Sequence, residues 1–333
     1  MYTLFEAGFE TGLVPTIDSS SMPANDNPIE ISTPLGFIGI GAMGLPMCRQ
    51  LAEAGYALSV SDPAADARRQ AAAIEGVSVA GTAQDAAAVS AVLFTCLPND
   101  AVLREVYLGD AGLLAALSEG CITVDCSTVS PSATREIHDA LAARGVRHLD
   151  AAMLGSVPQA ETGEIGFVIG GPKDAYDRTA PLFDILGRFR TYAGPSGAGN
   201  RIKLIHQTLV ACNAVAVAEA VALCLKTDTD LDSFYDVVCN GGGMAYSRYF
   251  ERRIPRMREG NFESLFTLAF MKKDVGLARD LAQTAAFDAP ILEQVFARYE
   301  QASEAGWDAE DFSAVAHLYE RAIGRDFGPT DES

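Results

Sequence analysis

The sequence predicts an α/β fold in which a doubly wound, mainly parallel sheet is followed by an all-helical C-terminal domain. From Leu35 onward, short apolar stretches alternate with stretches of helical character, and this alternation is typical of parallel sheets covered by helices. After Gly199 the pattern changes to helix-like segments without a clear strand. The chain has 333 residues, of which 49% are hydrophobic, and this is enough for two domains of ordinary size.

The pattern places each element in turn. The strands are predicted at residues 35–40, 57–61, 77–79, 91–96, 122–125, 147–151, 165–169 and 188–192. The helices after the sheet are predicted at residues 199–225, 231–239, 244–257, 268–286, 290–304 and 312–323. The first of these helices, with ~27 residues at ~1.5 Å each, extends ~40 Å and can span the junction between the domains. Its Ala/Val-rich stretch, 210–221, is expected to be buried against the other domain or a second subunit.

These elements set the predicted domain boundaries. Residues 1–33, with a cluster of Ser, Pro and Asn, are expected to form a mobile extension or to cover a neighbouring subunit. Residues 34–196 form the sheet domain and residues 197–327 the helical domain, which leaves 328–333 as a tail.

The composition limits the compartment and the partners. With 25 basic and 44 acidic residues the formal net charge is −19, which argues against nucleic acid and anionic membranes as partners. The seven cysteines form no CxxC pair, and several, including Cys96 and Cys121, lie in apolar runs. We therefore expect reduced core cysteines in a cytoplasmic protein, without a disulfide or a metal site. The first basic residue is Arg49, so no signal peptide is predicted, and no apolar stretch approaches the ~18 residues that span a bilayer.

Three glycines follow the first predicted strand with the spacing G-x-G-x-x-G. Gly39 allows a tight turn, Gly41 lets the backbone approach a pyrophosphate, and Gly44 lets the next helix pack close to the strand. Asp62 ends the second strand, where a carboxylate can accept hydrogen bonds from a ribose. The predicted contacts with the dinucleotide are Gly39, Gly41, Ala42, Met43, Gly44 and Asp62. Together they predict a Rossmann domain that prefers NAD to NADP, and the alternative is a tight turn that binds nothing.

Two further loops follow the fourth and fifth strands. Leu97, Pro98 and Asn99 come after the fourth, and Ser127 and Thr128 after the fifth, at the sheet edge where doubly wound folds bind ligands. We expect Leu97, Pro98, Asn99 and Thr128 to contact the cofactor and Ser127 to contact the substrate. The alternative for Asn99 and Thr128 is capping of a loop or helix.

Several separated motifs occur in a fixed order along the chain. They are 39–47 (GIGAMGLPM), 125–131 (DCSTVSP), 150–163, Gly170-Gly171, 197–203 (GAGNRIK), 273–275 (KDV) and 311–315 (DFSAV). This set resembles the β-hydroxyacid dehydrogenase family, which includes 3-hydroxyisobutyrate dehydrogenase, tartronate semialdehyde reductase and, more distantly, 6-phosphogluconate dehydrogenase. The resemblance covers nearly everything from Leu35 to Phe327. It implies hydride transfer between NAD and a small hydroxy acid or alcohol, or the matching aldehyde or ketone, and we expect a homodimer or homotetramer.

Lys203 is the candidate catalytic base. It lies one turn inside the helix that begins at Gly199, on the apolar segment 202–205, where partial desolvation disfavours an ammonium and lowers its pKa. The alternative is a surface lysine that extends into solvent. The family's G-x-G-x-x-x-K pattern matches Gly197, Gly199 and Lys203. By that resemblance Lys203 takes the substrate hydroxyl proton in oxidation and returns it in reduction.

The residues after Lys203 depart from the commonest pattern of the family. Most relatives have two asparagines three and four positions beyond the lysine, and this chain has His206 and Gln207. Gln207 shares the helix face of Lys203, so we expect it to bind the substrate hydroxyl or to orient the amine. His206 lies about 60° off that face. It contacts the other end of the substrate or is a structural core histidine.

A second departure occurs at Leu154-Gly155-Ser156. Relatives that act on small 3-hydroxy acids usually have Ser-Gly-Gly there, and that serine helps to hold the substrate carboxylate. Leu154 donates no hydrogen bond, so the backbone amides of Gly155 and Ser156 and one hydroxyl are left to bind an anion. The substrate pocket is therefore expected to be more apolar than in common members of the family.

Two charged groups in the helical domain complete the candidates. Lys273 and Asp274 match a family motif that folds back onto the nicotinamide end, although by themselves they are a charged pair on a helix. The arginines of 248–258 are expected to form a solvated face, an oligomer contact or an anion anchor. Two rival functions stay open, a reductase of non-acid carbonyls or imines and a non-catalytic nucleotide-binding protein, and an intact Lys203 argues against both.

Overall fold

One eight-stranded sheet forms the centre of the first domain. The computed structural model describes residues 27–328. The strands are β1 (Leu35–Ile38), β2 (Leu58–Ser61), β3 (Val77–Val79), β4 (Val92–Thr95), β5 (Ile122–Asp125), β6 (Arg147–Leu154), β7 (Ile165–Gly170) and β8 (Gly187–Gly194). Their order in the sheet is β3-β2-β1-β4-β5-β6-β7-β8, and every neighbouring pair is parallel except β6 and β7. The predicted strands are therefore all present, each within three residues of its expected ends.

Helices cover both faces of this sheet. They are α1 (Gly44–Glu53), α2 (Ala65–Ala71), α3 (Ala83–Ala88), α4 (Asp100–Leu108), α5 (Pro131–Ala142), α6 (Val157–Glu161) and α7 (Lys173–Leu186). On one face, Phe37 and Phe94 stack at 5.5 Å between ring centroids, and Phe183 of α7 packs edge-on against Phe94. On the other face, Leu103 of α4 and Ile137 of α5 are fully buried. Two apolar layers thus fix the sheet and align the carboxyl ends of its parallel strands.

The strand order reverses direction at β1, which places a crevice at its carboxyl end. Ile38 of β1 is the register partner of Ser61 in β2 and of Thr95 in β4, and Thr95 in turn is that of Asp125 in β5. The loops after these strands therefore meet at one edge of the sheet. Doubly wound folds bind their ligands at such a point.

The second domain is helical, as predicted. It consists of α8 (Ala198–Lys226), α9 (Leu231–Asn240), α10 (Arg248–Arg258), α11 (Leu268–Thr284), α12 (Pro290–Glu304), a 3-10 turn (Phe312–Ala316) and α13 (His317–Ile323). The long helix α8 contacts β6, β7 and β8 at its start and α11, α12 and α13 further along. It therefore joins the two domains, with its start against the sheet and its later turns in the core of the helical domain.

The two sides of α8 differ in burial. Lys203, Gln207, Ala211, Ala214 and Ala218 are all buried within the subunit, on one face of the helix. The opposite face carries a stripe of exposed apolar side chains, which we call the α8 stripe: Ile202, Ile205, Leu209 and Leu223. The Ala-rich stretch 210–221 is buried as expected, but it packs against other helices of its own domain rather than against the sheet domain.

One expectation about α8 was wrong. By length and composition this helix is long and apolar enough to cross a membrane. The expectation of no such stretch failed because Asn213 and Glu219 interrupt the apolar run in the sequence but leave its mean hydropathy high. A core helix of a folded domain passes the same test, and here α8 packs against the sheet, against α5, against α9 to α13 and against the 3-10 turn.

Some predicted boundaries also differ. Residues 27–33 belong to the sheet domain rather than to an extension, because Ile29 is buried and its N–H donates to the carbonyl of Arg178 at 2.9 Å. Residues 1–26 and 329–333 lie outside the described part of the chain. Helix α10 begins at Arg248 because Ser247 caps it, accepting a hydrogen bond from the Phe250 N–H at 3.1 Å. The expected helix 312–323 is a 3-10 turn followed by α13.

Candidate active site

The glycine turn after β1 has room for a ligand at one of its three glycines. Gly39 has φ +86°, and a Cβ there would lie 2.2 Å from the carbonyl oxygen of Cys96. A Cβ on Gly44 would lie 2.1 Å from the carbonyl oxygen of Gly39. A Cβ on Gly41 would meet no atom within 4 Å. Packing thus requires the first and third glycines, and the second faces open space.

That open space lies in front of the N-terminus of α1. The helix has Met43 as its N-cap residue, and no side chain caps its first N–H groups. These backbone donors and the positive end of the helix dipole suit a pyrophosphate, which would supply the missing acceptors. The residues present therefore fit a dinucleotide, with the backbone of Gly41, Ala42, Met43 and Gly44 as its phosphate site.

Asp62 lies beside this turn at the carboxyl end of β2. Its Oδ2 accepts a hydrogen bond from the Ile40 N–H at 2.9 Å, and its Oδ1 accepts one from the Ala64 N–H at 2.7 Å. These bonds fix the carboxylate, which stays partly exposed, and each oxygen keeps a lone pair for a ribose hydroxyl. Arg68 turns toward this corner and donates to the carbonyls of Asp62 and Pro63, whereas Arg69 pairs with Asp66 at the surface.

The loop after β4 is held partly by capping. The Asn99 Oδ1 accepts a hydrogen bond from the Val102 N–H at 3.0 Å, so Asn99 caps α4, the alternative considered above. Leu97 is half-buried and Pro98 is exposed at the sheet edge. Leu97, Pro98 and the Nδ2 group of Asn99, which the cap does not use, are therefore left in this loop for the expected contacts with the cofactor.

The expected role of the Ser127 side chain does not fit the structure. Ser127 is 2% exposed, and its hydroxyl donates to the Asp125 Oδ1 at 2.5 Å and accepts from the Leu97 N–H at 2.8 Å. The Thr95 hydroxyl donates to the same Asp125 oxygen at 2.7 Å. Ser127 therefore ties the loops after β4 and β5 together instead of facing a substrate. Burial raises the pKa of the Asp125 carboxyl to about 6, although the hydrogen bonds from Ser127 and Thr95 lower it.

Lys203 is buried on the face of α8 that both domains cover. It is 7% exposed, and within residues 27–328 its amine has no hydrogen bond or ion pair. Burial lowers the pKa of Lys203 from 10.5 to about 8; the carboxylate of Asp274 opposes this effect, and the charge of Lys273 adds to it. The expected desolvation of this amine is confirmed by its burial.

Residues of α8 and α11 surround this amine. The Gln207 Nε2 donates to the Asp274 Oδ2 at 2.8 Å, and both side chains are buried. The Lys273 Nζ lies 3.0 Å from the Asp274 Oδ1 and also donates to the carbonyl of Thr128 in the loop after β5. The structure thus brings Lys203, Gln207, Lys273, Asp274 and Thr128 together, with Lys273 linking the two domains.

His206 is not a core residue of the subunit. The side chain is partly exposed beside the α8 stripe, with its Nδ1 3.3 Å from the Gln207 Oε1. Partial burial of the ring and the nearby charge of Lys203 lower its pKa. The helical period explains this placement, since His206 lies three positions after Lys203 and one before Gln207, which turns its side chain away from the buried face of α8.

Gln159, in the segment after β6, was not among the predicted site residues. The Ser156 N–H and hydroxyl both donate to the Gln159 Oε1, each at 3.0 Å. Gly155 has φ +142°, and Leu154 is partly buried at the end of β6. The hydroxyl and amide expected to bind an anion at Ser156 are thus already engaged. The Ser-x-x-Gln spacing is a capping-box signal and could have revealed this.

The arginines of 248–258 mostly have partners within the chain. Arg253 pairs with the buried Asp311 at 3.1 Å, Arg256 bonds to Asn261 and the backbone of Glu263, and Arg258 pairs with Asp232. Arg248 and Arg252 are exposed. Most of these arginines therefore stabilise the helical domain. Of the five, Arg248 and Arg252 are the two that could bind an anion from solvent.

Two family models match the chain. The model for the NAD binding domain of 6-phosphogluconate dehydrogenase matches residues 34–194, and the model described as NAD-binding of NADP-dependent 3-hydroxyisobutyrate dehydrogenase matches residues 197–319. The chain belongs to the β-hydroxyacid dehydrogenase family. As a member of this family it is an NAD(P)-dependent dehydrogenase that acts on small hydroxy acids.

Similar proteins of this family span nearly the whole length of the chain. An NAD-dependent L-serine dehydrogenase of Pseudomonas aeruginosa is 33% identical over 298 residues, which cover 87% of this chain and 99% of that protein. A solved structure of 3-hydroxyisobutyrate dehydrogenase from Mycobacterium tuberculosis with L-serine has a TM-score of 0.79 and 29% identity, covering 86% of this chain and 99% of that one. An imine reductase from Pseudomonas sp., 18% identical with a TM-score of 0.56, shares the fold alone.

Proposed function

We propose that this β-hydroxyacid dehydrogenase oxidises a small hydroxy acid with NAD, or reduces the matching aldehyde or ketone, with Lys203 as general base and acid. The observation that carries the proposal is the buried amine of Lys203, which has no partner among residues 27–328 and lies beside Gln207 and Asp274. With a pKa of about 8, a useful fraction of this amine is neutral near neutral pH. An ordinary surface lysine has far less.

The residues around Lys203 support a proton transfer at its Nζ. In oxidation the neutral amine accepts the proton of the substrate hydroxyl; NAD, when bound, would supply the hydride acceptor for the same carbon. The ammonium that forms is stabilised by the Asp274 carboxylate, which favours the charged form of Lys203. Gln207 is anchored to Asp274, so its amide is preorganised toward the substrate or the amine. In reduction Lys203 returns the proton.

For the cofactor we propose NAD rather than NADP. The Asp62 carboxylate is fixed by two backbone N–H groups at the place where a 2′-phosphate would lie, and like charges repel there. The NAD-dependent L-serine dehydrogenase among the relatives supports the same choice. Arg68 is turned toward this corner, but its guanidinium donates to the carbonyls of Asp62 and Pro63.

The substrate is a small hydroxy acid held in a pocket with an apolar wall. Relatives are named for L-serine, 2-(hydroxymethyl)glutarate, L-threonate and 3-hydroxyisobutyrate, which share a hydroxyl near a carboxylate. In this chain Leu154 supplies no donor and Ser156 is engaged by Gln159. The substrate carboxylate must then rely on other groups, among them the charge of Lys273.

A second candidate function follows from that same segment. Because Leu154 and Ser156 offer little to a carboxylate, a reductase of non-acid carbonyls or imines is the alternative on this scaffold. Lys203 argues against it, since a buried base is suited to a hydroxyl proton. A non-catalytic nucleotide-binding protein is less well supported because both the glycine turn and Lys203 are intact.

We also propose that the protein is a cytoplasmic homo-oligomer. The α8 stripe exposes 64% of Leu209 and 64% of Leu223 on a helix whose other face is buried, and such a surface suits a second copy of the chain. The cysteines at positions 48, 96, 121, 126, 212, 224 and 239 are all free, as expected in a reducing compartment.

A substrate panel tests this proposal. The reduction of NAD is followed by NADH absorbance with L-serine, 3-hydroxyisobutyrate, L-threonate and related hydroxy acids, and with simple alcohols; imines are tested in the reverse direction. We expect the highest kcat/KM with a hydroxy acid. Turnover of imines or neutral carbonyls alone would favour the second candidate, and NADH binding without turnover of any class would favour the non-catalytic one.

A further inference from the structure

The buried carboxylate of Asp150 caps a helix of the other domain. Asp150 lies in β6 and is fully buried. Its Oδ1 accepts a hydrogen bond from the Gly197 N–H at 2.8 Å, and its Oδ2 accepts one from the Asn200 N–H at 2.9 Å. Both donors belong to the start of α8, where Gly197 has φ +84° and provides no side-chain cap. The helix is thus capped by a residue of the sheet.

Two glycines allow this close approach. A Cβ on Gly170, the register partner of Asp150 in β7, would lie 2.5 Å from the Asp150 Oδ1. A Cβ on Gly199 would lie 2.7 Å from the Asp150 carbonyl oxygen and 2.9 Å from its Oδ2. The Asp150 carboxylate therefore requires glycine at 170, and together with the Val168 carbonyl oxygen, 2.5 Å from a Cβ on Gly199, it requires glycine at 199.

The electrostatics of this cap favour an ionised carboxylate in spite of its burial. Burial raises the pKa of Asp150 to about 6, and the N–H groups of Asn200 and Gly197 lower it. Near neutral pH the charged form faces the positive end of the α8 dipole and accepts two charge-assisted hydrogen bonds. These interactions hold the first turn of α8 against the sheet.

The first turn of α8 connects directly to the candidate catalytic groups. Lys203 lies three residues after Asn200, less than one helical turn away. The Asn200 Oδ1 accepts a hydrogen bond from the Val129 N–H, and its Nδ2 donates to the Thr134 hydroxyl, each at 3.2 Å. The loop that contains Val129 also presents the Thr128 carbonyl to Lys273. One buried carboxylate thus lies at the junction of the sheet, the Thr128 loop and α8.

We propose that Asp150 is a positioning residue for the catalytic lysine: it fixes the start of α8 to the sheet and thereby sets the position of the Lys203 amine relative to the substrate. Asp150 itself touches no substrate. The proposal rests on the function proposed above for Lys203. A displacement of a catalytic group by about 1 Å can reduce a rate by ~10²-fold, so a cap far from the chemistry has a measurable effect.

The test compares Asp150→Ala and Asp150→Asn with a matched control, Asp311→Asn. Asp311 is equally buried, caps the 3-10 turn through the Ser313 N–H and hydroxyl, and pairs with Arg253, all away from the start of α8. For each variant we measure kcat and KM, the dissociation constant of NADH by fluorescence, the thermal midpoint, and amide hydrogen exchange in a peptide covering 197–203. Assays are run at a temperature at which every variant is folded.

We expect Asp150→Ala to lower kcat by ~10- to 100-fold, to change NADH binding by less than ~2-fold, and to accelerate exchange in 197–203. Asp150→Asn keeps one oxygen acceptor and should lie between Ala and wild type. Asp311→Asn should lose stability while its kcat and the exchange in 197–203 stay near wild type. If the Ala variant does not fold, the Asn variant carries the same comparison.

Three outcomes would overturn the proposal. Unchanged exchange in 197–203 would mean that Asp150 does not hold the first turn of α8. Faster exchange without a loss of kcat would mean that this turn does not position the amine. Equal losses of kcat in the Asp150 and Asp311 variants would indicate a general effect of stability. If the proposed function is wrong, Lys203→Ala turns over substrate at an undiminished rate. The effect of the Asp150 variants on amide exchange in 197–203 does not depend on that result.

Discussion

At Lys203, burial and charge act in opposite directions, and burial prevails. The pKa falls from 10.5 to about 8 although Asp274 favours the ammonium. This difference corresponds to roughly 3 kcal/mol in favour of the neutral amine. An adjacent carboxylate that fully offset the burial would have left a permanent cation, which cannot accept a proton. The pair therefore gives an amine that is basic enough to take a proton and neutral often enough to do so.

We predict that Leu154 limits which acids the substrate pocket accepts. We expect Leu154→Ser to raise kcat/KM for small 3-hydroxy acids relative to the natural substrate, because it adds a donor and removes an apolar wall. The gain should be modest, since a hydrogen bond to a charged group contributes ~1.5–3 kcal/mol and the new hydroxyl is not preorganised. Leu154→Val, which keeps the wall, is the control. A wild-type enzyme that is already fast on 3-hydroxyisobutyrate and is slowed by the serine would refute this role.

We predict that Asp62 sets the preference for NAD over NADP. Like charges ~4 Å apart repel by about 1 to 4 kcal/mol between water and a protein surface, so kcat/KM should favour NAD by ~10-fold or more. Asp62→Ala should reduce this preference. Asp66→Ala, which removes the nearby surface carboxylate paired with Arg69, should leave it unchanged. Comparable kcat/KM values for the two cofactors in the wild type would show the assignment of Asp62 to be wrong.

At the scale of elements, two glycines at the start of α1 have different roles, since Gly44 is needed for packing and Gly41 is predicted to contact the cofactor. Gly44→Ala places a methyl group 2.1 Å from the Gly39 carbonyl oxygen, so we expect a loss of stability of ~1–3 kcal/mol in thermal unfolding. Gly41→Ala places its methyl group in open space, so the fold should be retained while NADH binding weakens. A Gly41→Ala variant with wild-type NADH affinity would remove the phosphate site from this turn.

The elements themselves could be predicted from the sequence because their hydrophobic periods are local. All eight strands and the start of α8 beside Lys203 follow from such periods and from the glycine motifs. The partners of polar side chains could not, because they depend on which loops meet at the sheet edge. Ser127, expected to face the substrate, instead accepts a hydrogen bond from the N–H of Leu97, thirty positions earlier in the sequence, and donates one to Asp125. Long-range contacts of this kind have no sequence period.

At the scale of the whole molecule, α8 contributes to both domains and leaves one face without a partner in the described subunit. If a second copy covers this face, Leu209→Glu and Leu223→Glu should dissociate the oligomer, because each places a charge in an apolar contact. Ile291→Glu, at an exposed apolar position at the start of α12, is the control. Analytical ultracentrifugation measures the mass. A monomeric wild type, or an oligomer that survives both substitutions, would contradict this assignment.

The pH dependence of kcat/KM for oxidation shows whether Lys203 exchanges the substrate proton. A base must be neutral, so the rate should rise with pH and level off above a pKa of about 8; His206, whose pKa is lowered from 6.5, titrates well below this limb. Lys203→Ala should lose the limb and ~10²- to 10⁴-fold in rate while binding NADH normally. A Lys203→Ala enzyme that keeps more than about half of its kcat, with the same rise near pH 8, would contradict the account.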